Sequence, residues 1–320
     1  MLQRRSRIRF QGGDLVSERL FVKVGDTFLK SPLILASGTC NMGRELSEIY
    51  DLSILGGLSS KGLTIKPRAG NEGVRVAECK AGMLNSVGLQ NPGVEHFIKY
   101  DLDFMNTLDT GVIVNVAGHS TEDYIDMVKT LDPHKDKIDA LEINLSCPNV
   151  KEGCMSIGSD KEQIKKIVGE LRKLTDLPLW IKLTPNVTDI SSMALAAQEG
   201  GADAVVLINT MLGMAIDIKT RRPVLHNNTG GYSGPAIKPV ALRMVSECYR
   251  VLDIPIIGCG GITEASDVLE FMIAGASAVE IGTASLVIPD APVFITDELE
   301  AWCEENDTDI ASLTGTLKLW

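Results

Sequence analysis

Short apolar runs recur along the whole chain, and turn-forming residues bound each of them. Eight of these runs are almost continuously apolar and rich in β-branched residues, as is typical of parallel strands buried on both faces. The eight runs cover residues 33–37, 54–59, 112–116, 140–145, 179–183, 204–209, 254–258 and 278–282. We therefore expect a parallel sheet at the centre of the protein.

Amphipathic helical patterns lie between most of these runs, with aliphatic residues spaced to cover one helix face. The clearest four cover residues 160–174, 191–200, 239–252 and 263–274. We expect Gly200 and Gly201 to end the second of them. We expect Thr263 to be the N-cap of the last, which ends at Gly275. Strands and helices that alternate in this way predict a (β/α)8 barrel, that is, a TIM barrel. A doubly wound sheet is the alternative, but no early strand is followed by the G-x-G-x-x-G motif of that fold.

Three segments are too long to be simple connections between strands and helices. Residues 10–30 predict an N-terminal β-hairpin that closes the N-terminal end of the barrel. Residues 62–100 and 210–236 predict long loops on the C-terminal face, where barrel enzymes build their active sites. We interpret residues 1–17 as an N-terminal arm and residues 18–320 as one barrel domain.

The composition excludes several classes of function. A net charge of −11 at pH 7 and a pI near 4.9 argue against nucleic acid or an anionic membrane as the main partner. No apolar run is long enough to span a bilayer. The seven cysteines show no C-x-x-C spacing, which predicts reduced thiols in a cytoplasmic protein and no iron–sulfur cluster in this chain. The four histidines are scattered, and we expect no metal site.

Polar residues and glycines stand where each predicted strand ends. A single such residue would merely cap a turn, but sets at all eight strand ends favour one binding site at the rim of the barrel. In chain order they are Ser37-Gly38-Thr39, Ser60-Lys61-Gly62, Asn115, residues 144–149, Lys182, Asn209-Thr210, residues 258–261 and Gly282-Thr283. A Gly- and Asn-rich loop, residues 85–93, predicts further carboxamides and main-chain N–H groups above the second strand.

The glycines after the last two strands favour a phosphate group. Gly260 and Gly261, followed by a helix, present main-chain N–H groups of the kind that bind phosphate in barrels, and so do Gly282 and Thr283. Lys182 adds a cation on the barrel floor; if the site held a flavin, this cation would stabilise the negative charge of the reduced ring. A salt-bridged or snorkelling lysine is the alternative interpretation.

The run Asn144-Leu-Ser-Cys147-Pro-Asn149 carries the most specific chemistry in the chain. Its thiol lies between two carboxamides, and the proline after it fixes the backbone. The amides suit a flat polar ring, and the thiol suits proton transfer. A buried structural cysteine is the alternative.

Together these motifs resemble those of class 1 dihydroorotate dehydrogenases. The resemblance covers the chain from about residue 18 to about residue 300. It rests on Asn144-Leu-Ser-Cys-Pro-Asn149, Asn85-Ser-Val-Gly-Leu-Gln-Asn-Pro92, Ile181-Lys-Leu-Thr-Pro185, Ile208-Asn-Thr210, Thr229-Gly-Gly-Tyr-Ser-Gly-Pro-Ala-Ile-Lys-Pro239, Gly260-Gly-Ile262 and Ile281-Gly-Thr283. It implies an FMN-containing barrel that oxidises (S)-dihydroorotate to orotate in de novo pyrimidine biosynthesis.

The resemblance also assigns roles to individual residues. It implies that Cys147 is the catalytic base, which takes the C5 proton of dihydroorotate while hydride passes from C6 to FMN. The substrate contacts that it implies are Lys61, Asn85, Val87, Gly88, Leu89, Asn144, Asn149, Asn209 and Thr210. The FMN contacts that it implies are Ser37, Gly38, Thr39, Lys61, Gly62, Asn115, Asn144, Lys182, Ile208, Gly234, Gly260, Gly261, Gly282 and Thr283.

Within class 1, residues 212–217 and 233–239 are similar to the B type. That type implies a partner subunit that carries FAD and a [2Fe–2S] cluster and passes electrons to NAD, with the catalytic chain a homodimer within a heterotetramer. The absence of a dinucleotide motif and of clustered cysteines agrees with this division. Two features depart from the pattern: Tyr232 stands where leucine is expected, and residues 226–228 are unusual.

Three other functions are alternatives to this one. An A-type enzyme linked to fumarate is the nearest alternative. A dihydropyrimidine dehydrogenase-like flavoenzyme would need no site for the C6 carboxylate, whereas Lys61 and the Asn149-Val150 context favour dihydroorotate. A non-catalytic barrel that binds flavin or phosphate is the alternative from a different class.

Overall fold

The structure is a computed structural model that describes residues 16–146 and 157–320. The predicted arm therefore falls almost entirely outside the described residues. The strands are β1 Val22–Val24, β2 Thr27–Leu29, β3 Leu33–Leu35, β4 Gly57–Ser59, β5 Val76–Cys79, β6 Gly82–Asn85, β7 Gly111–Ala117, β8 Ala140–Asn144, β9 Leu179–Lys182, β10 Ala204–Leu207, β11 Met211–Gly213, β12 Ile216–Asp217, β13 Arg222–Pro223, β14 Gly230–Ser233, β15 Ile256–Cys259 and β16 Ala276–Ile281.

Strands β3, β4, β7, β8, β9, β10, β15 and β16 close into a parallel barrel, hydrogen-bonded in that order. Each of the eight predicted apolar runs forms one of these strands, so the predicted (β/α)8 barrel is confirmed. Apolar runs form barrel strands because both faces of such a strand are buried. Its inward side chains pack against those of other strands, and its outward side chains pack against helices.

Helices connect the barrel strands and cover the outside of the barrel. The α-helices are α1 Val94–Tyr100, α2 Leu102–Thr107, α3 Thr121–Leu131, α4 Lys161–Arg172, α5 Ile190–Gly200, α6 Lys238–Tyr249, α7 Ala265–Ala274, α8 Thr283–Val287 and α9 Ala291–Glu305. The four predicted helices correspond to α4, α5, α6 and α7, and the aliphatic face of α4 is buried as its pattern requires. Within the described ranges, none of these helices has the length and apolar character needed to cross a bilayer.

The caps of two helices test the sequence interpretation closely. Helix α5 ends at Gly201, whose φ of +97° is the left-handed conformation expected of a C-terminal glycine. The predicted N-cap of α7 is wrong, because Glu264 and Asp267 form a reciprocal capping box there. The Thr263 hydroxyl instead donates to Asp267 Oδ2 at 2.9 Å.

The predicted N-terminal hairpin is confirmed as the antiparallel pair β1–β2, with Val22 opposite Leu29. It lies against the N-terminal ends of the barrel strands: a Cβ added to Gly56 or to Gly111 would lie 3.1–3.4 Å from Leu29. The inward side chains of the hairpin, including Val24, belong to the main hydrophobic core. The hairpin therefore closes the barrel at the end opposite the predicted site.

The two segments predicted as long loops, 62–100 and 210–236, are more ordered than that prediction. Strands β5 and β6 from the first segment pair with β11 and β14 from the second in an antiparallel sheet, ordered β11-β14-β6-β5. We call this four-stranded sheet the cover sheet. The prediction missed it because its strands have only three or four residues each, and their partners come from the other segment.

Candidate active site

A cavity of about 500 Å³ opens at the C-terminal ends of the barrel strands. Each of the eight barrel strands contributes to its lining, either directly or through the residues that follow it, and the cover sheet contributes Met83, Asn85 and Ser233. The predicted site residues that line it are Ser37, Gly38, Thr39, Lys61, Gly62, Asn85, Val87, Gly88, Leu89, Asn115, Asn144, Lys182, Ile208, Asn209, Thr210, Gly234, Gly260, Gly261, Gly282 and Thr283. Cys147 and Asn149 lie outside the described residues.

Three buried ionisable side chains, Glu142, Lys182 and Glu280, meet inside the barrel beneath this cavity; we call them the floor cluster. Lys182 Nζ lies 2.5 Å from Glu280 Oε2 and 3.4 Å from Glu142 Oε1. Glu142 and Lys182 come from neighbouring strands, two positions apart in register, whereas Glu280 comes from the far side of the barrel. Lys182 is 5% exposed, so the cluster acts in a medium of low dielectric constant.

The pKa values of the two carboxyl groups shift in opposite directions. Burial raises the pKa of Glu280 well above its usual value, and the charge of Glu142 adds to that rise. Burial acts on Glu142 in the same sense, but the charge of Lys182 and hydrogen bonds bring its pKa below the usual value. Burial alone would lower the pKa of Lys182, but the two carboxyl groups raise it above its usual value. Lys182 is therefore a cation at any physiological pH.

The sequence interpretation missed Glu142 and Glu280 and treated Lys182 as a solitary charge. Among its alternatives, the salt-bridged lysine matches the structure, yet Lys182 also lines the cavity. A sequence signal was available, because both glutamates lie between apolar neighbours within predicted strands: Leu141 and Ile143 flank Glu142, and Val279 and Ile281 flank Glu280. A charge within such a strand needs a buried partner of opposite sign.

Asn115 joins the floor cluster to the cavity. Its Nδ2 donates to Glu142 Oε1, which also accepts a bond of 3.3 Å from the Ser59 hydroxyl. Its Oδ1 is buried and has no hydrogen-bond partner among the described residues. Because Asn115 lines the cavity, this oxygen is an acceptor available to a ligand that carries an N–H group.

Carboxamides form one wall of the cavity. Asn209 Nδ2 lies 3.4 Å from Asn144 Oδ1, and the same oxygen accepts a 3.1 Å bond from the Ser146 N–H. Asn209 Oδ1 accepts from the N–H of Thr210 at 2.7 Å. Across the cavity, Asn85 donates to Gly231 O in the cover sheet at 3.4 Å. The long bonds leave these amides able to reorient towards a flat polar ring.

Two cationic groups face the cavity from different heights. Lys182 lies in the floor cluster, whereas Lys61 follows β4 at the rim, and a Cβ added to Gly38 would lie 3.2 Å from Lys61 Nζ. Cys259 also lines the cavity, but burial raises the pKa of its thiol far above neutrality. Cys259 is therefore a neutral thiol and a poor base.

A glycine-rich turn after β15 forms another wall. Gly260 and Gly261 have φ of +131° and +80°, and an added Cβ at Gly261 would lie 2.8 Å from Lys238 Cβ. Asp267 anchors this turn by accepting from the Thr263 N–H at 2.7 Å and from Lys238 Nζ at 2.6 Å. The turn thus keeps its backbone bare towards the cavity, which suits an anion bound by N–H groups.

The described residues contain no group of three or more His, Cys, Asp or Glu side chains placed to hold a metal ion. The described polar lining of the cavity includes carboxamides, two lysines and bare backbone. Such a set matches a ligand with a phosphate, an amide-rich ring system and an acidic substituent.

Comparison with known proteins identifies the family. The family model described as dihydroorotate dehydrogenase matches residues 19–302. A protein of Thermoanaerobacter sp. (strain X514) named "Dihydroorotate dehydrogenase B (NAD(+)), catalytic subunit" is 51% identical over 301 residues, which cover 94% of this chain and 99% of that protein. Proteins of the same name from Caldicellulosiruptor bescii and Geotalea daltonii are 46% and 47% identical over equally long alignments, covering 94% of this chain and 99% and 98% of those proteins.

A solved structure supports the fold independently. The crystal structure of DHODH from Eimeria tenella in complex with ferulenol superposes with a TM-score of 0.78, at 22% identity, over 96% of this chain and 91% of that one. At that identity the likeness concerns the barrel alone. The match over residues 19–302 and the relatives near 50% identity concern the sequence itself. This chain belongs to the dihydroorotate dehydrogenase family.

Proposed function

We propose that this chain is the FMN-binding catalytic subunit of an NAD-linked dihydroorotate dehydrogenase, which oxidises (S)-dihydroorotate to orotate. One observation carries the proposal: residues from all eight barrel strands, predicted separately from their motifs, line a single cavity above a buried lysine. The names of the relatives, which specify dihydroorotate, NAD and a catalytic subunit, support the same activity.

The residues of the cavity fit FMN. Asn115 Oδ1 is buried without a partner among the described residues and so offers an acceptor to an N–H of the flavin ring. Gly260 and Gly261 supply the bare backbone that a phosphate needs, and Lys182 supplies a cation for a ring that gains negative charge. When bound, FMN supplies the acceptor for the two electrons and the hydrogen that leave C6 of dihydroorotate.

The amide wall and Lys61 fit the substrate. Dihydroorotate is a small ring with two carbonyls, two N–H groups and a carboxylate, so it needs both donors and acceptors along its edge. Asn85, Asn144 and Asn209 each provide both, and Thr210 adds a hydroxyl. Lys61 at the rim neutralises the C6 carboxylate, which uracil and thymine lack.

The base in this proposal is Cys147, which removes the C5 proton of dihydroorotate. Cys147 lies outside the described residues, and the proposal rests on its motif. Cys259, the other cysteine considered, is a neutral buried thiol and does not suit the role. A free thiol titrates near about 8.5, so flavin reduction is expected to accelerate with pH until Cys147 ionises.

Replacement of this thiol gives a direct test. Because the conjugate base of serine is far more basic, Cys147→Ser is expected to slow flavin reduction by about 10²-fold or more near pH 7. Rapid-mixing absorbance under anaerobic conditions measures this rate. Binding of orotate is expected to persist, because the carboxamides hold the ring. A serine variant that reduces the flavin at the normal rate would remove Cys147 from this role.

The electron acceptor requires a second protein. The chain contains no G-x-G-x-x-G motif after a strand, so NAD has no recognisable binding site in it. A partner subunit with FAD and a [2Fe–2S] cluster would receive electrons from FMN and pass them to NAD. The words "catalytic subunit" in the names of the relatives support this division of labour.

The proposal is tested with the purified full chain. It is expected to be yellow and to lose flavin absorbance when dihydroorotate is added without oxygen. It is expected to reduce NAD negligibly until the FAD and iron–sulfur protein is added. Bleaching by dihydrouracil but not by dihydroorotate would contradict the substrate, and rapid NAD reduction by the chain alone would contradict the partner.

A further inference from the structure

The floor cluster contains two carboxyl groups for one cation. Glu142 and Glu280 both pair with Lys182, and both glutamates are almost completely buried. Because both carboxyl groups contact the same Lys182 Nζ atom, they lie close together inside the barrel. If both were ionised, the cluster would carry a net negative charge directly below a cavity that has to accept electrons. Burial makes such an uncompensated charge unfavourable.

The hydrogen bonds of the two carboxyl groups are incomplete without a proton. Glu142 Oε2 and Glu280 Oε1 are buried, and neither has a hydrogen-bond donor among the described residues. Two ionised carboxylates cannot bond to each other, because both are acceptors only. A proton on one of them converts it into a donor that can bond to an oxygen of the other.

The surroundings decide which group holds the proton. Glu142 accepts from Ser59 and Asn115 in addition to Lys182, and these donors stabilise its ionised form. Glu280 has Lys182 and the neutral thiol of Cys259 as its other neighbours. The ionised group is therefore Glu142, and the proton is held by Glu280.

We propose that Glu142 and Glu280 share one proton and, acting through Lys182, set the reduction potential of the flavin in the cavity. The inference rests on the FMN site proposed above. With one proton the cluster is neutral, since Lys182 carries one positive charge and the glutamates carry one negative charge. Glu142 and Glu280 are positioning residues, because they hold Lys182 in place and limit how strongly its charge acts on the flavin.

The net charge of the floor cluster is expected to change only when both glutamates are replaced by glutamine. Glu280→Gln removes the proton and the carboxyl group together and leaves the pair Lys182–Glu142 neutral. Glu142→Gln allows Glu280 to lose its proton and pair with Lys182, so that variant is also neutral. The double variant Glu142→Gln/Glu280→Gln leaves Lys182 uncompensated, with a net charge of +1.

The measurement is the flavin reduction potential of the FMN-loaded chain, titrated with dithionite against a reference dye. Each single variant is expected to keep the wild-type potential. The double variant is expected to raise it, by strengthening the binding of reduced over oxidised FMN by about tenfold or more. Glu199→Gln is the matched control, because it removes the carboxylate of an exposed pair with Lys165 at 2.8 Å.

Two results would overturn the inference. A similar rise in each single variant, with the double variant near their sum, would mean that both carboxyl groups are ionised. An unchanged potential in the double variant would mean that the cluster is structural and does not act on the flavin. If the double variant fails to fold, the two single variants still separate one shared proton from two ionised groups.

A second readout needs neither flavin nor turnover. Infrared spectroscopy of the FMN-free chain is expected to show the C=O stretch of one buried protonated carboxyl group. This band is expected to disappear in each single variant and to remain in Glu199→Gln. Its absence in the wild-type chain would overturn the shared proton. Failure of the FMN proposal would appear instead as a wild-type chain that binds no FMN, while this band still tests the inference.

Discussion

The floor cluster and the cover sheet enclose the same cavity from opposite sides and are built in opposite ways. The floor cluster consists of long ionisable side chains on barrel strands, held in a dry interior by partners of opposite charge. The cover sheet consists of short strands from two connecting segments, and its edges and several side chains are exposed. Electrostatic interactions are therefore strong in the buried floor cluster and weak in the solvent-exposed cover sheet.

This difference implies a division of tasks. Rigid strands with buried charge suit the tuning of a cofactor, because no reorganisation is needed when electrons arrive. A small sheet over the cavity suits the admission and holding of substrate, because its strands are bonded mainly to one another. Changes in the floor cluster should therefore alter stability and flavin potential, whereas changes in the cover sheet should alter substrate KM.

The largest effect is expected from the floor. Lys182→Met leaves Glu142 and Glu280 buried without a cation, and loss of one partner of a buried ion pair destabilises proteins by about 3–5 kcal/mol. The same change is expected to lower the flavin potential and weaken FMN retention. Urea unfolding of the FMN-free chain measures the stability. Lys165→Met, in an exposed pair, is the control and is expected to leave the urea midpoint close to that of the wild type.

An unchanged flavin potential in Lys182→Met, with full FMN retention, would contradict the expectation that the floor cluster tunes the flavin. It would mean that Lys182 only stabilises the barrel and that its charge has no effect on the bound flavin.

The glycine turn after β15 is a third part of the cavity wall, and it allows FMN retention to be tested separately from flavin potential and substrate KM. Asp267→Asn weakens the bonds that Asp267 accepts from Thr263 and Lys238 and is expected to lower the free energy of unfolding by about 1–3 kcal/mol at pH 7. FMN retention is expected to fall, because the turn is less firmly held. Flavin potential and substrate KM are expected to stay unchanged.

The pH dependence of this effect has a definite sign. Burial would raise the pKa of Asp267, but its bonds to Lys238 and Thr263 lower it below the usual value. Its stabilising contribution is therefore complete above about pH 4, the unfolded value, and is lost as the pH falls through the lower folded pKa. The stability difference between wild type and Asp267→Asn should shrink below about pH 4 in urea titrations. A difference that grows on acidification would contradict this reasoning.

In the cover sheet, a methyl group at Gly231 is expected to act on substrate alone. An added Cβ there would overlap the hydroxyl of Thr210, which lines the cavity. Gly231→Ala is therefore expected to raise the KM for dihydroorotate by about tenfold, equivalent to the loss of one hydrogen bond. Steady-state kinetics with a dye acceptor measure KM, and the flavin potential should not change.

Gly169→Ala is the matched control, since the nearest atom to its added Cβ is 3.8 Å away and the position lies inside helix α4. It is expected to leave KM unchanged. A shift of the flavin potential in Gly231→Ala would contradict the expectation that the cover sheet affects substrate binding alone.

The smallest effect is expected at Tyr232, where the resemblance led us to expect leucine. Its hydroxyl donates to Lys80 O at 2.7 Å on the exposed side of the cover sheet. Tyr232→Phe removes this one bond and is expected to lower the free energy of unfolding by less than about 1 kcal/mol. Hydrogen exchange of the cover-sheet amides is the more sensitive measurement, and wild-type protection would show that the bond contributes nothing there.

The elements that could be predicted from the sequence are those determined by one continuous segment of the chain. The barrel strands and the hairpin β1–β2 were predictable because each is one continuous apolar run or one short turn. The rim residues were predictable because parallel strands bring their carboxyl ends together, whatever the order of the strands. The cover sheet was not, because β6 pairs with β14 across about 150 residues of chain.

The floor cluster shows the same limit for side chains. Glu142 and Glu280 could be seen as charges within apolar runs, but their partner could be named only once Lys182 was known to reach across the barrel. Helix α7 is a milder case, since Thr263 and Glu264 are adjacent and the choice between them depends on the backbone angles of one residue.

The hairpin that closes the lower end of the barrel has a consequence for timing. Among the described residues, β1–β2 packs below the floor cluster and apolar strands surround it, so the route they leave for proton exchange with bulk water leads through the mouth of the cavity. A ligand that fills the mouth therefore isolates the cluster for as long as it stays bound. The protonation state present at the moment of binding is then retained through that whole turnover, so a rapid change of external pH reaches the flavin only after the product has left.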